Sequence, residues 1–378
     1  MKVMTIIGAR PQFVKSAVVS NSLIERGIDE YLVHTGQHFD ENMSKVFFDE
    51  LNMREPNANL GISGGSHGKM TGQMLMEVEQ LLIEKKPDWV LVFGDTNSTL
   101  AGSLAASKLN IQCAHVEAGL RSNNRIMPEE INRILTDHAS DLLFSPTQVA
   151  FERLIGEGVD PGKIVKTGDV MLDAAKTFGA IAVAKSSIIK DLNLIEGKFA
   201  LCTLHRAENV DDHKTLEWIL EGLNELSKEI LIVLPLHPRT RAKFVEYGLT
   251  EKVSPKIRLI APIGFLDILA LQSQTSLIVT DSGGMQKEAF FQKKPCVTIR
   301  TETEWVELLH GGHNRLAKPL IDSILQKATD AMGASLDWSV ELYGDGHSSD
   351  KIVDSLLERY MCCSSSNYYA IDNFNSFF

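Results

Sequence analysis

Short apolar, β-branched runs recur along the chain, each followed by a longer stretch whose apolar positions return every three or four residues. Runs of the first kind fall at 2–8, 30–34, 88–93, 111–116, 141–144 and 164–167, and again at 198–204, 229–236, 257–261, 276–280 and 295–299. This alternation is the mark of βαβ units, whose parallel strands are covered on both faces and so read as continuous apolar runs. Pro11 to Glu25 and Thr71 to Lys85 predict two of the intervening helices. Pro11 suits a first helical turn, where its missing N–H costs nothing. Between Gly168 and Lys198 the pattern is helical and then polar, which places a domain junction there. The expected organisation is an α/β pair of doubly wound domains, over 1–168 and 169–345. A last amphipathic helix follows within 346–361 (Ser348 to Met361), then an irregular tail over 362–378.

The bulk numbers narrow the function. A chain of 378 residues exceeds one ordinary core, and 44% hydrophobic with 23% charged residues is usual for a soluble globular protein. A net charge of −11 argues against nucleic acid as a partner, although a small nucleotide needs only local groups. The apolar opening Met1–Gly8 is too short for a signal core, and no run of about 18 apolar residues predicts a membrane span. The five cysteines lack zinc-ligand spacing. Cys113, Cys202 and Cys296 fall in strand-like runs and read as buried, reduced thiols, so a cytoplasmic location is expected. No His-x-x-x-His or His/Cys cluster suggests a metal, and the absence of G-x-G-x-x-G argues against a tightly held NAD.

Chemistry gathers where strands end, which is where open α/β sheets bind ligands. Trp89–Phe93 runs into Gly94-Asp95-Thr96-Asn97-Ser98-Thr99, and the next strand into His115-Val116-Glu117-Ala118-Gly119-Leu120-Arg121, before Pro128-Glu129-Glu130-Ile131-Asn132-Arg133. Asp95, Glu117 and Glu129, with His115 and Arg121, are thereby expected at one sheet edge. Such a cluster suits proton transfer on a bound anion; the acids could also simply cap the helices that follow. Asp281-Ser282-Gly283-Gly284-Met285-Gln286-Lys287-Glu288 joins a strand to a helix. Its paired glycines let free N–H groups approach a phosphate, Ser282 adds a hydroxyl, and Glu288 could accept from a ribose diol. Gly8-Ala9-Arg10-Pro11 forms a similar corner, where Arg10 can fork onto a phosphate and Lys15 adds a second charge. His205 and His237 each end a strand and are placed to face a cleft; His34 and His38 flank another strand end, and His67 lies in a glycine-rich loop.

These motifs occur in the order seen in the non-hydrolysing UDP-N-acetylglucosamine 2-epimerase family, which the chain resembles from Met1 to about residue 360. The resemblance implies a GT-B arrangement: two Rossmann-like domains, the active site in the interdomain cleft, and a last helix crossing back to the first domain. It implies reversible C2 inversion of a UDP-linked N-acetylhexosamine, by elimination of UDP to a 2-acetamidoglycal and re-addition, with no cofactor. The family's catalytic positions fall on Asp95, Glu117, Glu129 and His205. Its UDP contacts fall on Arg10, Lys15, Ser282, Gly283, Gly284 and Glu288, with His237 beside them. A regulatory UDP-sugar site would include Gln37, His38 and Gln73. A homodimer and a role in surface polysaccharide precursors are the family expectation.

Two stretches depart from the simple UDP-N-acetylglucosamine enzymes. Their usual Arg-x-Thr-Thr-Glu-Arg-Pro-Glu is here Arg300-Thr301-Glu302-Thr303-Glu304-Trp305-Val306-Glu307, and their His-x-Asn-Pro is His237-Pro238-Arg239-Thr240. Both look more like the branch acting on UDP-2,3-diacetamido-2,3-dideoxy-glucuronate. Arg239 could pair with the C6 carboxylate of such a sugar, or equally face solvent. A GT-B glycosyltransferase would share the nucleotide corners but need an acceptor, and a hydrolysing epimerase would release free sugar and UDP.

Overall fold

In the computed structural model, the described residues are 1–37, 51 and 53–372, with side chains for all of these except Arg10 and 363–372. Two wholly parallel sheets organise them. The first takes β1 (Lys2–Ile7), β2 (Asp29–His34), β3 (Ala58–Asn59), β4 (Trp89–Phe93), β5 (Gln112–Val116), β6 (Leu142–Ser145) and β7 (Ile164–Lys166). Their spatial order is β3-β2-β1-β4-β5-β6-β7. The second takes β8 (Phe199–Thr203), β9 (Leu231–Pro235), β10 (Ile257–Ile260), β11 (Leu277–Thr280), β12 (Cys296–Ile299) and β13 (Asn314–Ala317), in the order β10-β9-β8-β11-β12-β13. In each sheet the order reverses beside the first strand. The reversal lies between β1 and β4 in one sheet and between β8 and β11 in the other, and the crevice outside such a reversal is the usual ligand position.

The chain divides into two compact units, 1–174 with 341–378, and 175–340. The first boundary falls inside the helix Val170–Lys185. Two strands escaped the sequence reading for a plain reason. Ala58–Asn59 is too short to show alternation, and Asn314–Ala317 contains no β-branched residue. The helix expected from Thr71 begins at His67, because Ser66 accepts from the Lys69 N–H (3.4 Å); Gly68 and Gly72 had masked its first turn.

The end of the chain also differs from expectation. The last helix runs Ser348–Asp372, past the point where an irregular tail was expected to begin. No proline or glycine stands between Cys362 and Asp372 to stop it. Its start is tied to the first unit: the Ser349 N–H and hydroxyl donate to Asp173 (2.7 and 2.8 Å), and the Asp169 N–H donates to the Tyr343 carbonyl (2.9 Å). Along its length Asp354 and Asp350 meet Arg26, the C-cap of the helix Arg10–Glu25, and Asp350 accepts from Ser22 of that helix. Such exposed pairs contribute about 0–1 kcal/mol each. Burial of Ile352, Val353 and Leu356 contributes more, roughly 1.5–3 kcal/mol per side chain. Among the described residues no helix is long and apolar enough to cross a membrane.

The three central cysteines are buried and unpaired, and burial pushes the Cys113 and Cys296 thiols up to about 12. At the strand-order reversal of the first sheet, Gly8 leaves no room for a side chain. A Cβ there would lie 2.2 Å from both the Ser98 and Thr35 hydroxyl oxygens, which hydrogen-bond each other at 2.8 Å. Gly8→Ala should therefore destabilise the first unit by about 1–3 kcal/mol, the usual cost of overpacking. Urea unfolding checks this, and an unshifted midpoint would show that the corner is looser than described.

Candidate functional site

The first unit builds its candidate groups around one turn. After β4, Gly94 takes a left-handed backbone (φ 65°), and its N–H donates to the Val116 carbonyl at 3.0 Å. Asp95 follows, its carboxylate 2.5 Å from the Arg133 guanidinium and its carbonyl accepting from the Asn132 amide at 2.9 Å. Both partners come from the helix Pro128–Ala139. Arg133 also meets Glu130 (2.9 Å), which accepts from the N–H groups of Ser122 and Asn123. Burial alone would raise the Glu130 carboxyl, but these hydrogen bonds outweigh it and hold it below the ordinary carboxylate range. Glu129 is half-buried in the first turn of that helix and makes no ion pair or hydrogen bond with a described residue. Residues three and four apart share a helix face, so Glu129 lies on the face that grips Asp95.

Glu117 approaches the same turn from β5. Its backbone is left-handed (φ 73°), an arrangement that costs on the order of 1–3 kcal/mol in a residue other than glycine. Paired bonds from the Glu117 and Ala118 N–H groups to the Phe144 carbonyl hold it (3.1 and 3.0 Å). The Glu117 carboxylate is ion-paired with Lys15, both side chains being about nine-tenths buried. A Cβ on Gly94 would sit 3.5 Å from the Glu117 carboxylate and 3.7 Å from the Lys15 ammonium. Gly94 is thus required for its φ, while a Cβ there would make only ordinary contact with the pair. Asp95 follows Gly94 in the chain, the Glu117 carboxylate lies against it, and Glu129 is one helical turn from the groups that hold Asp95.

His115 and Arg121 were expected beside the acids at the sheet edge; both are instead buried beneath them. His115 is wholly buried between Asp137 and the Gly94 carbonyl, each 2.7 Å from a ring nitrogen. Arg121 pairs with Asp137 and, through two bonds, with Glu157.

The Gly8-Ala9 corner also differs from expectation. The Gly8 and Ala9 N–H groups donate to the Gln12 side-chain oxygen (2.7 and 3.0 Å), so they are not free for a phosphate. The Gln12 amide nitrogen in turn donates to the Phe93 carbonyl and the Thr96 and Thr99 hydroxyls, tying the end of β1 to the end of β4. Lys15 points its charge at Glu117. Arg10 begins the helix Arg10–Glu25, and its side chain lies outside the described residues.

In the second unit the corresponding corner is open. The helix Gly283–Phe291 follows β11, and its N-cap Ser282 makes no side-chain cap to the first-turn N–H groups of the glycine start. The Ser282 N–H itself donates to Thr280 (3.0 Å). Glu288 accepts from Gln272 at 2.6 Å, and its other oxygen is 3.7 Å from where a Cβ on Gly284 would lie. Burial pushes the Glu288 carboxyl up, against that hydrogen bond and the charge of Lys287. Asp281, wholly buried, accepts from the backbone N–H groups of His205 and Arg206 and from the Asn209 amide, and it lies 3.3 Å from the His205 ring. His205 is therefore oriented yet half exposed, with the His237 ring 6.1 Å away. The His237 ring accepts from the Arg239 N–H at the start of the helix Pro238–Glu246. The divergent segment after β12 seals the side of the glycine turn. The Trp305 indole N–H donates to the Gly283 carbonyl (3.0 Å), its face covers the Lys287 ammonium (4.1 Å), and Arg300 is bidentate to Glu304. Arg239, the candidate partner for a sugar carboxylate, is paired with Asp211 at the surface.

Of the residues expected at a regulatory site, Gln37 accepts from the Ser98 N–H and hydroxyl (3.2 and 2.8 Å), at the start of the helix Asn97–Lys108. Gln73 is exposed on the helix His67–Lys85, and His38 lies outside the described residues. His67 meets Asn97 at 3.2 Å. Sequence reasoning assigned no role to Gln12, Asn132, Arg133, Asp137, Asn209 or Asp281. The last of these carried a signal, since it stands directly at the end of β11. Gln12 stands at capping-box spacing from Ala9, which is a local signal; the others act across the fold, and their spacing from the groups they hold has no local pattern.

A family model described as UDP-N-acetylglucosamine 2-epimerase matches residues 22–357. The chain is 50% identical to the UDP-2,3-diacetamido-2,3-dideoxy-D-glucuronate 2-epimerase of Pseudomonas aeruginosa, covering 95% of this chain and all of that one. It is 42% identical to the UDP-N-acetylglucosamine 2-epimerase of Methanocaldococcus jannaschii, over 93% of this chain and 98% of the relative. The crystal structure of the M. jannaschii enzyme in complex with UDP-GlcNAc and UDP superposes with a TM-score of 0.85, at 42% identity, over 95% of this chain and all of that one. The two-sheet α/β fold and the family expected from the motifs are both shown. With its paired parallel sheets and its ordered motifs, the chain belongs to the UDP-N-acetylglucosamine 2-epimerase family.

Proposed function

We propose that this protein is a non-hydrolysing UDP-N-acetylhexosamine 2-epimerase, with proton transfer by the first unit and the diphosphate held by the second. The observation that carries this division is the start of the helix Gly283–Phe291, whose N-cap Ser282 makes no side-chain cap, while Asp95, Glu117 and Glu129 all lie in the first unit. An uncapped helix start favours a phosphate, and the Asp95, Glu117 and Glu129 set favours proton transfer.

The C2 hydrogen of an N-acetylhexosamine has no adjacent ring carbonyl, so plain deprotonation fails. In the proposed reaction a base removes the C2 proton as the C1–O bond to UDP breaks. The C–H electron pair becomes the C1=C2 bond of a 2-acetamidoglycal, and the C–O pair leaves on the diphosphate. An acid then protonates C2 from the opposite face while a diphosphate oxygen re-adds to C1. Base and acid exchange protonation states in each turnover and reset through solvent. Asp95, Glu117 and Glu129 supply the base and acid. His205, held by Asp281, and the Ser282-Gly283-Gly284 start stabilise the departing UDP, with Arg10 in the same role and Glu288 at the ribose. On the resemblance alone, the reading extends to a cytoplasmic homodimer that supplies surface polysaccharide precursors.

The same chemistry on UDP-2,3-diacetamido-2,3-dideoxy-glucuronate is supported by the 50% identity to the P. aeruginosa enzyme and by the Trp305 and Arg239 segments. Arg239 is spoken for by Asp211, but an exposed pair is worth only about 0–1 kcal/mol and can be exchanged for a sugar carboxylate. Turnover of the uronate with none of UDP-N-acetylglucosamine would select this sugar; the reverse outcome would select the simpler one.

In deuterated water the epimerised product should carry deuterium at C2; retention of the original hydrogen refutes the mechanism. Asp95→Asn, Glu117→Gln and Glu129→Gln should each lower kcat by roughly 10²–10⁴-fold, the usual worth of a general acid or base. Calorimetry should find UDP affinity in these variants close to that of the unsubstituted protein. Undiminished turnover in all three would remove the assignment.

A further inference from the structure

We propose that His115 is a positioning residue, its ring protonated on both nitrogens and clamped between the Asp137 carboxylate and the Gly94 carbonyl to set the direction of Asp95. The inference rests on what each ring nitrogen faces. Nε2 is 2.7 Å from the Gly94 carbonyl oxygen, which can only accept. Nδ1 is 2.7 Å from one Asp137 oxygen. The other Asp137 oxygen takes the Arg121 guanidinium at 2.7 Å and the Gly119 N–H at 3.1 Å, the surroundings of an ionised carboxylate. A singly protonated ring would set a nitrogen lone pair against an oxygen lone pair on one side or the other. Two N–H groups satisfy both contacts, and the ring is wholly buried, so water cannot substitute.

The charges of the surrounding groups agree. Burial alone would raise the Asp137 carboxyl, but His115 and Arg121 outweigh it and hold it below the ordinary carboxylate range. A cationic His115 with Arg121 balances Asp137 and Glu157, the last exposed and also 3.4 Å from His138, so the four side chains from His115 outward carry no net charge.

The consequence for Asp95 is geometric. The peptide joining Gly94 to Asp95 is planar, so fixing its carbonyl fixes the direction in which Asp95 leaves the strand. The next peptide is held by the Asn132 amide on the Asp95 carbonyl. Asp95 is therefore gripped on both sides through its backbone, and its carboxylate meets Arg133 from a set position. His115 touches no reacting group in this account; it acts through Gly94.

The test combines ring-nitrogen NMR with kinetics, and the kinetic arm rests on the function proposed above. In protein labelled with ¹⁵N in its histidine rings, His115 should show both nitrogens protonated at neutral pH, its signals identified by their loss in His115→Gln. Asp137→Asn should leave one ring nitrogen unprotonated. His115→Gln should lower kcat about 10- to 100-fold, the range seen when a hydrogen-bonded partner that orients an acting group is removed, with KM and UDP affinity unchanged. An unprotonated nitrogen in the unsubstituted protein, or His115→Gln turning over at the full rate, would overturn the proposal. If His115→Gln does not fold, the spectra of the unsubstituted protein and of Asp137→Asn decide. If the unsubstituted protein shows no epimerisation, the functional reading has failed and the spectrum alone judges His115.

Discussion

The turn after β4 depends on Gly94, because glycine adopts a positive φ without strain. Its N–H reaches Val116, its carbonyl receives His115, and the space where a Cβ would stand is bordered by Glu117 and Lys15. Another residue there would carry the cost of the left-handed backbone. Strain is kept one strand over, at Glu117, where two N–H bonds to one carbonyl hold a non-glycine residue left-handed. Acidic groups are thus delivered by rigid strand ends and a packed helix, which suits groups that must meet a substrate in one geometry.

The two units use the same topology in opposite ways. Both sheets reverse strand order beside their first strand, and both present a strand-to-helix corner there. In the first unit Gln12 fills that corner with its amide, converting a potential anion site into a latch between β1 and β4. In the second, Asp281 anchors the backbone of His205 and Arg206 from below, while the glycine start of the following helix stays uncapped. Trp305 and Lys287 close the flank of this turn, in the segment where the chain departs from the simple UDP-N-acetylglucosamine enzymes.

Much of this was legible in the chain itself. Continuous apolar runs disclosed most strands because parallel strands covered on both faces need apolar residues at successive positions. The same runs showed where each strand ends, and so where Asp95, Glu117, His205 and Ser282 stand. Periodicity failed where elements were short or ordinary in composition, as at Ala58–Asn59 and Asn314–Ala317, and it ended the last helix too early because Ser, Asn and Tyr carry no amphipathic signal.

Tertiary structure decided which of the polar residues face outward and which hold others in place. His115 and Glu117 are two positions apart on one segment, yet one is sealed within the fold and the other stands at the turn. Lys15, a candidate phosphate ligand by its place in the sequence, meets Glu117 only once helix and strand are brought together. Asn132 and Asp137 were invisible for the same reason: each satisfies groups far away in the chain. A sequence lists donors and acceptors and, through its periodicity, the elements that carry them. Which donor meets which acceptor depends on contacts a few ångströms long between distant segments, and those exist only once the sheets and helices have packed.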